Sequence, residues 1–161
     1  LIPGMPLPDN LINPLLDYDF GPEFKYVDLS GLMTMQPPVI KRVLPMLVPK
    51  VDADGNETSG VPSPLHQAPL GSYLGWNVTR TGFYKGRGCG FAGGFIPFAK
   101  SKAERLATGD PRLSLEERYH DHAGYAAAVK KAVERLLSRH FLLPEDAERL
   151  LRQAEESNVL R

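Results

Sequence analysis

The residues able to do chemistry are few and scattered. Cys89 is the single cysteine, set in a GRGCG run at 86–90, and the four histidines stand at 66, 120, 122 and 140. A thiol becomes a nucleophile when an imidazole or cation lowers its pKa. No histidine is near Cys89 in the chain, so a small buried filler is the expected role. The glycine run has neither the Lys-Ser/Thr ending of a phosphate loop nor the strand-then-helix setting of a dinucleotide loop. His120 and His122, two apart, project to different faces of a helix, whereas a helical metal pair needs a spacing of four. Surface or supporting roles are expected for them, and no metal or cofactor site. Asp52-Ala53-Asp54-Gly55 resembles the opening of a calcium loop, but its glycine comes too early and no bidentate glutamate follows at the right distance. A hairpin turn is the preferred reading. None of the eight serines lies in a G-x-S-x-G elbow, and Asp28-Leu29-Ser30-Gly31, the nearest, lacks the first glycine. No residue is therefore assigned as catalytic.

The stretch most suited to a binding surface is 70–98, LGSYLGWNVTRTGFYKGRGCGFAGGFIPF. It holds eight of the fifteen glycines, seven of the fourteen aromatics, three basic residues (Arg80, Lys85, Arg87) and no acid. Trp76, Phe83, Tyr84, Phe91 and Phe95 either line a substrate pocket or form core, and core is preferred. Trp76, Phe83, Tyr84 and Phe95 are the pocket candidates. The local charge of +3 reads as an anion-facing surface or a solvated rim, with the rim preferred.

The elements that must position these residues differ on either side. Residues 1–69 carry twelve of the fifteen prolines, which biases the backbone toward extended geometry. The apolar residues of the first 24 (Ile2, Met5, Leu15 and Leu16 among them) are expected to form a strap docked on another domain. Residues 39–51 read as a strand or strand pair that Pro45 and Pro49 break or confine to an edge. After 99 the pattern turns helical. Ser101 and Glu104 form a capping box for a helix over 102–108, with Gly109 as its stop. Ser114 and Glu117 form a second box, opening one long helix to about His140. Its expected apolar stripe is Leu115, Tyr119, Ala123, Ala126, Val129, Val133, Leu136 and Leu137. Pro144 starts a last helix with Ala147, Leu150, Leu151 and Ala154 on one face, and pairs Glu145–Arg149 and Glu148–Arg152 on the other. The expected architecture is α+β: a strap at 1–38, strands and glycine-aromatic loops at 39–98, and a helical tail at 99–161 with an antiparallel helix pair packed on a sheet.

Composition narrows the function classes. Zero formal net charge over 161 residues argues against a dedicated nucleic-acid binder. One cysteine excludes an internal disulfide framework, and no apolar run reaches membrane-spanning length. The opening at Leu1, without Met or a signal-like segment, leads to the expectation of a piece cut or processed from something longer.

Four separated motifs carry a family resemblance: the 52–56 turn, Gly75-Trp76-Asn77, Ile96-Pro97-Phe98-Ala99 and DPRLSLEERY at 110–119. In this order, over 36–160, they resemble the C-terminal region of bacterial alpha/beta hydrolase domain-containing proteins. The resemblance implies an α/β hydrolase-type fold, here its C-terminal portion, and an esterase-like serine hydrolase acting through a Ser–acid–His triad on a small ester-like substrate. It places the family's elbow and histidine upstream of the matching region. His66 is the only histidine here in an expected loop setting, and no catalytic role carries over to it. A partner polypeptide bearing the N-terminal hydrolase core is implied, and a periplasmic or secreted home is a lean from resemblance alone. The alternatives are a non-catalytic binding module and a small enzyme built on Cys89 or the histidines.

Overall fold

The computed structural model describes residues 2–5, 15–45, 47, 49–90 and 93–161. Among them are five helices and six short strands, the strands joined only in antiparallel pairs. The first pair is β1 (Leu15–Asp19) with β4 (Val39–Leu44). Leu16 faces Val43 and Tyr18 faces Ile40 on one, largely apolar side, while the other holds the Asp17–Arg42 pair between Leu15–Leu44 and Asp19–Val39. An irregularity between Asp17 and Tyr18 lets Val43 and Ile40, three apart, share that apolar side. Arg42 donates to Asp17 at 2.9 Å and Lys41 stands 3.5 Å from Asp19. Pro45 follows the last strand residue, where the sequence places the break. Inside the connection, β2 (Phe24–Lys25) meets β3 (Ser30–Gly31) and Phe24 is buried against Phe20 and Tyr26.

The strap expectation changes at its start. Ile2 and Met5 lie over Gly55 of this same chain, where an added Cβ would meet Met5 Cε at 2.9 Å and Ile2 Cδ1 at 3.2 Å. Lacking a side chain, Gly55 leaves the notch that they fill. Leu1 and residues 6–14 of the strap lie outside the described residues.

The third pair is β5 (Gly71–Leu74) with β6 (Gly94–Pro97). Gly71 is needed for close approach, since a Cβ there would sit 2.4 Å from the Ile96 carbonyl oxygen. A short helix, α1 (Pro64–Gln67), leads into this pair.

The helical tail begins as the sequence predicts. Helix α2 (Lys102–Thr108) has its complete Ser101–Glu104 capping box and closes on Gly109 at φ +66. The second box is also complete, but it opens a helix of one turn and not a long one. Helix α3 (Leu115–Tyr119) ends at His120, φ +67, and Asp121 caps a separate α4 (His122–Ser138) by accepting from Gly124 N at 2.7 Å. Gly124 permits this corner, because a Cβ there would lie 1.9 Å from the Tyr119 carbonyl oxygen. The break shifts the phase of the stripe. Ala123 is exposed, while Tyr125 and Ala132 join Val129, Val133 and Leu136 as buried residues.

Helix α5 (Pro144–Glu156) buries Ala147 and Ala154, with Leu150 and Leu151 half-buried, as expected. Its outer ion pair differs: Arg149 reaches Asp146 at 2.7 Å, one turn back, and neither four-residue spacing forms a pair. The five-residue link 139–143 turns α5 back along α4. The pair packs on α1, Ala68, Leu70 and Tyr119 and not on a broad sheet. The core therefore sits in the C-terminal half.

The corner at 119–124 yields a prediction with a distinctive sign. In one continuous helix Gly124→Ala is stabilising by up to about 1 kcal/mol. Here the methyl group strikes a backbone carbonyl, and we expect a loss of about 2 kcal/mol in urea denaturation.

Candidate functional site

The most constrained polar cluster forms where the 52–56 turn, the β5–β6 pair and the 110–118 segment meet. It starts with a local device. Asp52 Oδ1 accepts from the backbone N–H groups of Asp54 and Asn56, both at 2.9 Å, and Gly55 takes φ +79 to close the loop. This turns Asn56 inward, to 1% exposure. Its amide then acts as a strand partner for β5: Nδ2 donates to the Gly71 carbonyl at 3.1 Å and Oδ1 accepts from Tyr73 N at 2.7 Å.

Arg112 fills the space between. Its Nε and Nη2 bond Asp110 at 3.0 and 2.6 Å, Nη1 donates to Ser72 Oγ at 2.9 Å and to the Ile96 carbonyl at 3.0 Å, and Nη2 also donates to the Pro97 carbonyl at 3.2 Å. All five guanidinium hydrogens have an acceptor. Ser72 Oγ in turn donates to the Asp54 carbonyl. Phe98 is sandwiched beside Arg112 and Arg118, whose guanidinium carbons lie 5.1 and 4.1 Å from its ring centre, and Arg118 pairs with Asp54. No buried side-chain polar atom among the described residues lacks a partner.

The charges are locked as ions. Hydrogen bonds from Arg112 hold the Asp110 carboxyl below the usual range. Arg105 grips Glu117 at 2.7 and 3.1 Å, and with the Ser114 N–H it holds that carboxyl down at about 2. A carboxylate so held caps a helix and is no proton donor near neutrality. Burial pushes the Tyr73, Tyr119 and Tyr125 hydroxyls up, and Tyr119 donates to the Pro69 carbonyl at 2.7 Å.

Beside this cluster, an open cleft of about 260 Å³ runs along β5–β6, with Leu74, Phe95 and Ile96 as apolar walls and Asn77 and Arg80 as its polar groups. Phe95 also stacks on Tyr73 across the strands, centres 5.1 Å apart. Of the four pocket candidates, Phe95 lies in this cleft. Trp76 is half-buried and does not line it, and Phe83 and Tyr84 are far out on the loop that follows β5. The core reading fails for these two: they are 94% and 65% exposed, because the chain between β5 and β6 leaves the body of the protein. Phe91 lies outside the described residues. Cys89 is exposed, not a buried filler, since its flanking glycines offer nothing to bury it against.

His66 is on α1 and not in a loop, with Nδ1 at 2.9 Å from Ser63 Oγ. That is the one Ser–His contact among the described residues. Among the described residues no carboxylate holds the ring's other nitrogen, so they assemble no triad. The His122 ring lies against the carbonyls of Glu155 and Val159, binding the C-terminal tail, and His120 is exposed at the corner. No three metal-ligating side chains gather among the described residues. What sequence reasoning missed is the cluster of Asn56, Ser72, Phe98, Arg112 and Arg118. Its signal lay partly in the quoted motifs: the 52–56 turn supplies Asn56, the 96–99 string supplies Phe98 and the 110–119 segment supplies both arginines, while Ser72 stands before Gly75.

A model of the alpha/beta hydrolase domain family matches residues 21–152. No curated protein and no solved structure matches the chain.

Two predictions follow from the charges. Arg112→Met strands the buried Asp110 carboxylate and is expected to cost about 3–5 kcal/mol in denaturant unfolding. Adding Asp110→Asn removes the stranded charge, so the double variant should be the more stable of the two. Glu117 and Asp110 have folded pKa values below their ordinary 4.5 and 3.8. Each contribution is therefore complete above the ordinary value and is lost as pH falls through the lowered folded one, which for Glu117 is about 2. Glu117→Gln, which keeps the capping geometry, should flatten the fall in melting temperature over that window.

Proposed function

The chain belongs to the alpha/beta hydrolase domain family, and from that premise we propose that it completes an esterase-type serine hydrolase whose nucleophile is carried by other polypeptide. The reading is supported first by the serines. None lies in an elbow, and Ser72 and Ser114, both fully buried, are spent on Arg112 and on the cap of α3. The observation that carries the partnership is the apolar side of β1–β4. Ile40 and Val43 point from it into solvent, 52% and 58% exposed, on a ribbon whose two edges are unpaired among the described residues. An isolated ribbon of this kind is marginal in water and gains most by joining a larger sheet or core. The β5–β6 cleft, with Phe95 as wall and Arg80 at its margin, then shapes one side of the entrance for a small ester-like substrate.

A second reading, a non-catalytic binding module, is favoured by the closed core of α3 to α5, which needs no partner to exclude water.

A fluorophosphonate probe separates these. We expect the intact mass of this chain to stay unchanged after exposure, and a larger co-purifying polypeptide to take the label. An adduct on this chain would overturn the reading, and its loss in Ser63→Ala would make Ser63 and His66 the reacting pair. A chain that purifies with no labelled companion favours the module.

A further inference from the structure

Residues 77–89 leave the β5–β6 pair and return to it as a projecting hairpin. Its two rails are joined by backbone bonds: Cys89 N donates to the Asn77 carbonyl at 3.0 Å, and Thr79 N to that of Arg87 at 2.8 Å. Gly86 N donates to the Thr79 carbonyl at 2.8 Å, and Val78 bridges Gly88 antiparallel. The end is closed by bonds from Lys85 N to Gly82 O and from Arg87 N to Tyr84 O, with Gly82 and Gly86 at φ +86 and +79. The tip is thus held by its own main chain.

What that tip displays is unusual for a surface in contact with water alone. Phe83 and Tyr84 stand edge to face, ring centres 4.9 Å apart, and neither is covered. Arg80, Lys85 and Arg87 are exposed around them, and among the described residues none of the three pairs with a carboxylate. No acidic residue occurs anywhere in 70–98, although the whole chain is neutral. Two rings ringed by unpaired cations, on the end of an ordered arm, match a layer that is apolar beneath and anionic on top.

We propose that this hairpin docks the protein on an anionic phospholipid surface, with Phe83 and Tyr84 entering the interface and the three cations facing headgroup phosphates. Aromatic rings settle at the boundary of headgroups and acyl chains, and each basic residue near an anionic leaflet adds about fivefold to binding. The contact belongs to one end of the molecule, since the remainder, with 16 Lys/Arg against 19 Asp/Glu, supplies no general attraction to an anionic surface. Among the described residues no helix is long and apolar enough to cross a membrane, so attachment through the hairpin is peripheral. Single-stranded nucleic acid fits less well, because it needs a basic groove with successive stacking platforms and the tip offers one pair of rings. The proposal stands on the hairpin and is independent of the hydrolase reading.

The test uses the full chain and no catalytic readout. Sedimentation with sucrose-loaded vesicles measures partitioning, and an environment-sensitive fluorophore on Cys89, the single cysteine, reports contact at the hairpin's foot. We expect binding to vesicles of equimolar phosphatidylglycerol and phosphatidylcholine at millimolar lipid, little on phosphatidylcholine alone, and release by high salt. The R80Q/K85Q/R87Q variant should lose about a hundredfold in partition constant, and F83A/Y84A about tenfold. Both sets of side chains are exposed, and an unchanged melting curve checks the fold. A wild-type chain that stays in the supernatant with anionic vesicles, or a triple variant that binds as the wild type does, overturns the proposal.

Discussion

One buried guanidinium sets the geometry of the protein's central region. Arg112 reaches Asp110, Ser72 and the carbonyls of Ile96 and Pro97, so a single side chain ties both strands of the β5–β6 pair to the start of the helical tail. Burying such a charge costs several kcal/mol unless every hydrogen is matched. That requirement explains why its surroundings are so specific. Asp110 supplies the countercharge, Ser72 must be small and hydroxylic, and the two carbonyls must come from a strand end whose pairing is already satisfied on its other side. The 52–56 turn joins through Ser72 and through Asn56, and Arg118 closes the arrangement over Phe98. The N-terminal residues Ile2 and Met5 then cover the turn at Gly55.

This arrangement gives three of the four motifs a physical meaning. The 52–56 turn supplies Asn56, the stretch before Gly75 supplies Ser72, the IPFA string supplies two carbonyls and Phe98, and the segment from Asp110 to Tyr119 supplies both arginines. Each is spent on a hydrogen bond, an ion pair or a ring contact within the cluster. They are the means by which a chain poor in regular sheet fixes a cleft wall and a projecting arm.

Where the sequence was legible, the signal was local and chemical. Both capping boxes, the glycine stop at 109, the proline start of α5 and the end of β4 before Pro45 were readable because each depends on residues within one turn or one strand. The long helix was misread because Gly124 and Asp121 look ordinary inside a helical pattern. Only the packing of Gly124 against the Tyr119 carbonyl reveals the corner. Phe83 and Tyr84 were misread for a different reason: hydrophobicity says what a side chain gains by burial, and not whether the backbone carries it there. The Arg112 cluster was invisible as a cluster because its members are up to 62 residues apart, from Asn56 to Arg118, and join through tertiary contact alone.

The central claim is that Arg112 makes the turn, the strand pair and the tail one cooperative unit, and native-state hydrogen exchange tests it most directly. The amides to follow are Tyr73, bonded to Asn56 Oδ1, Phe98, bonded to the Leu70 carbonyl, and Leu115, bonded to the Ala99 carbonyl. In Arg112→Met the account predicts that all three lose protection together and by a similar factor, while Val133 in the α4 core loses less. Loss at Leu115 alone, with Tyr73 and Phe98 protected as in the wild type, would contradict it.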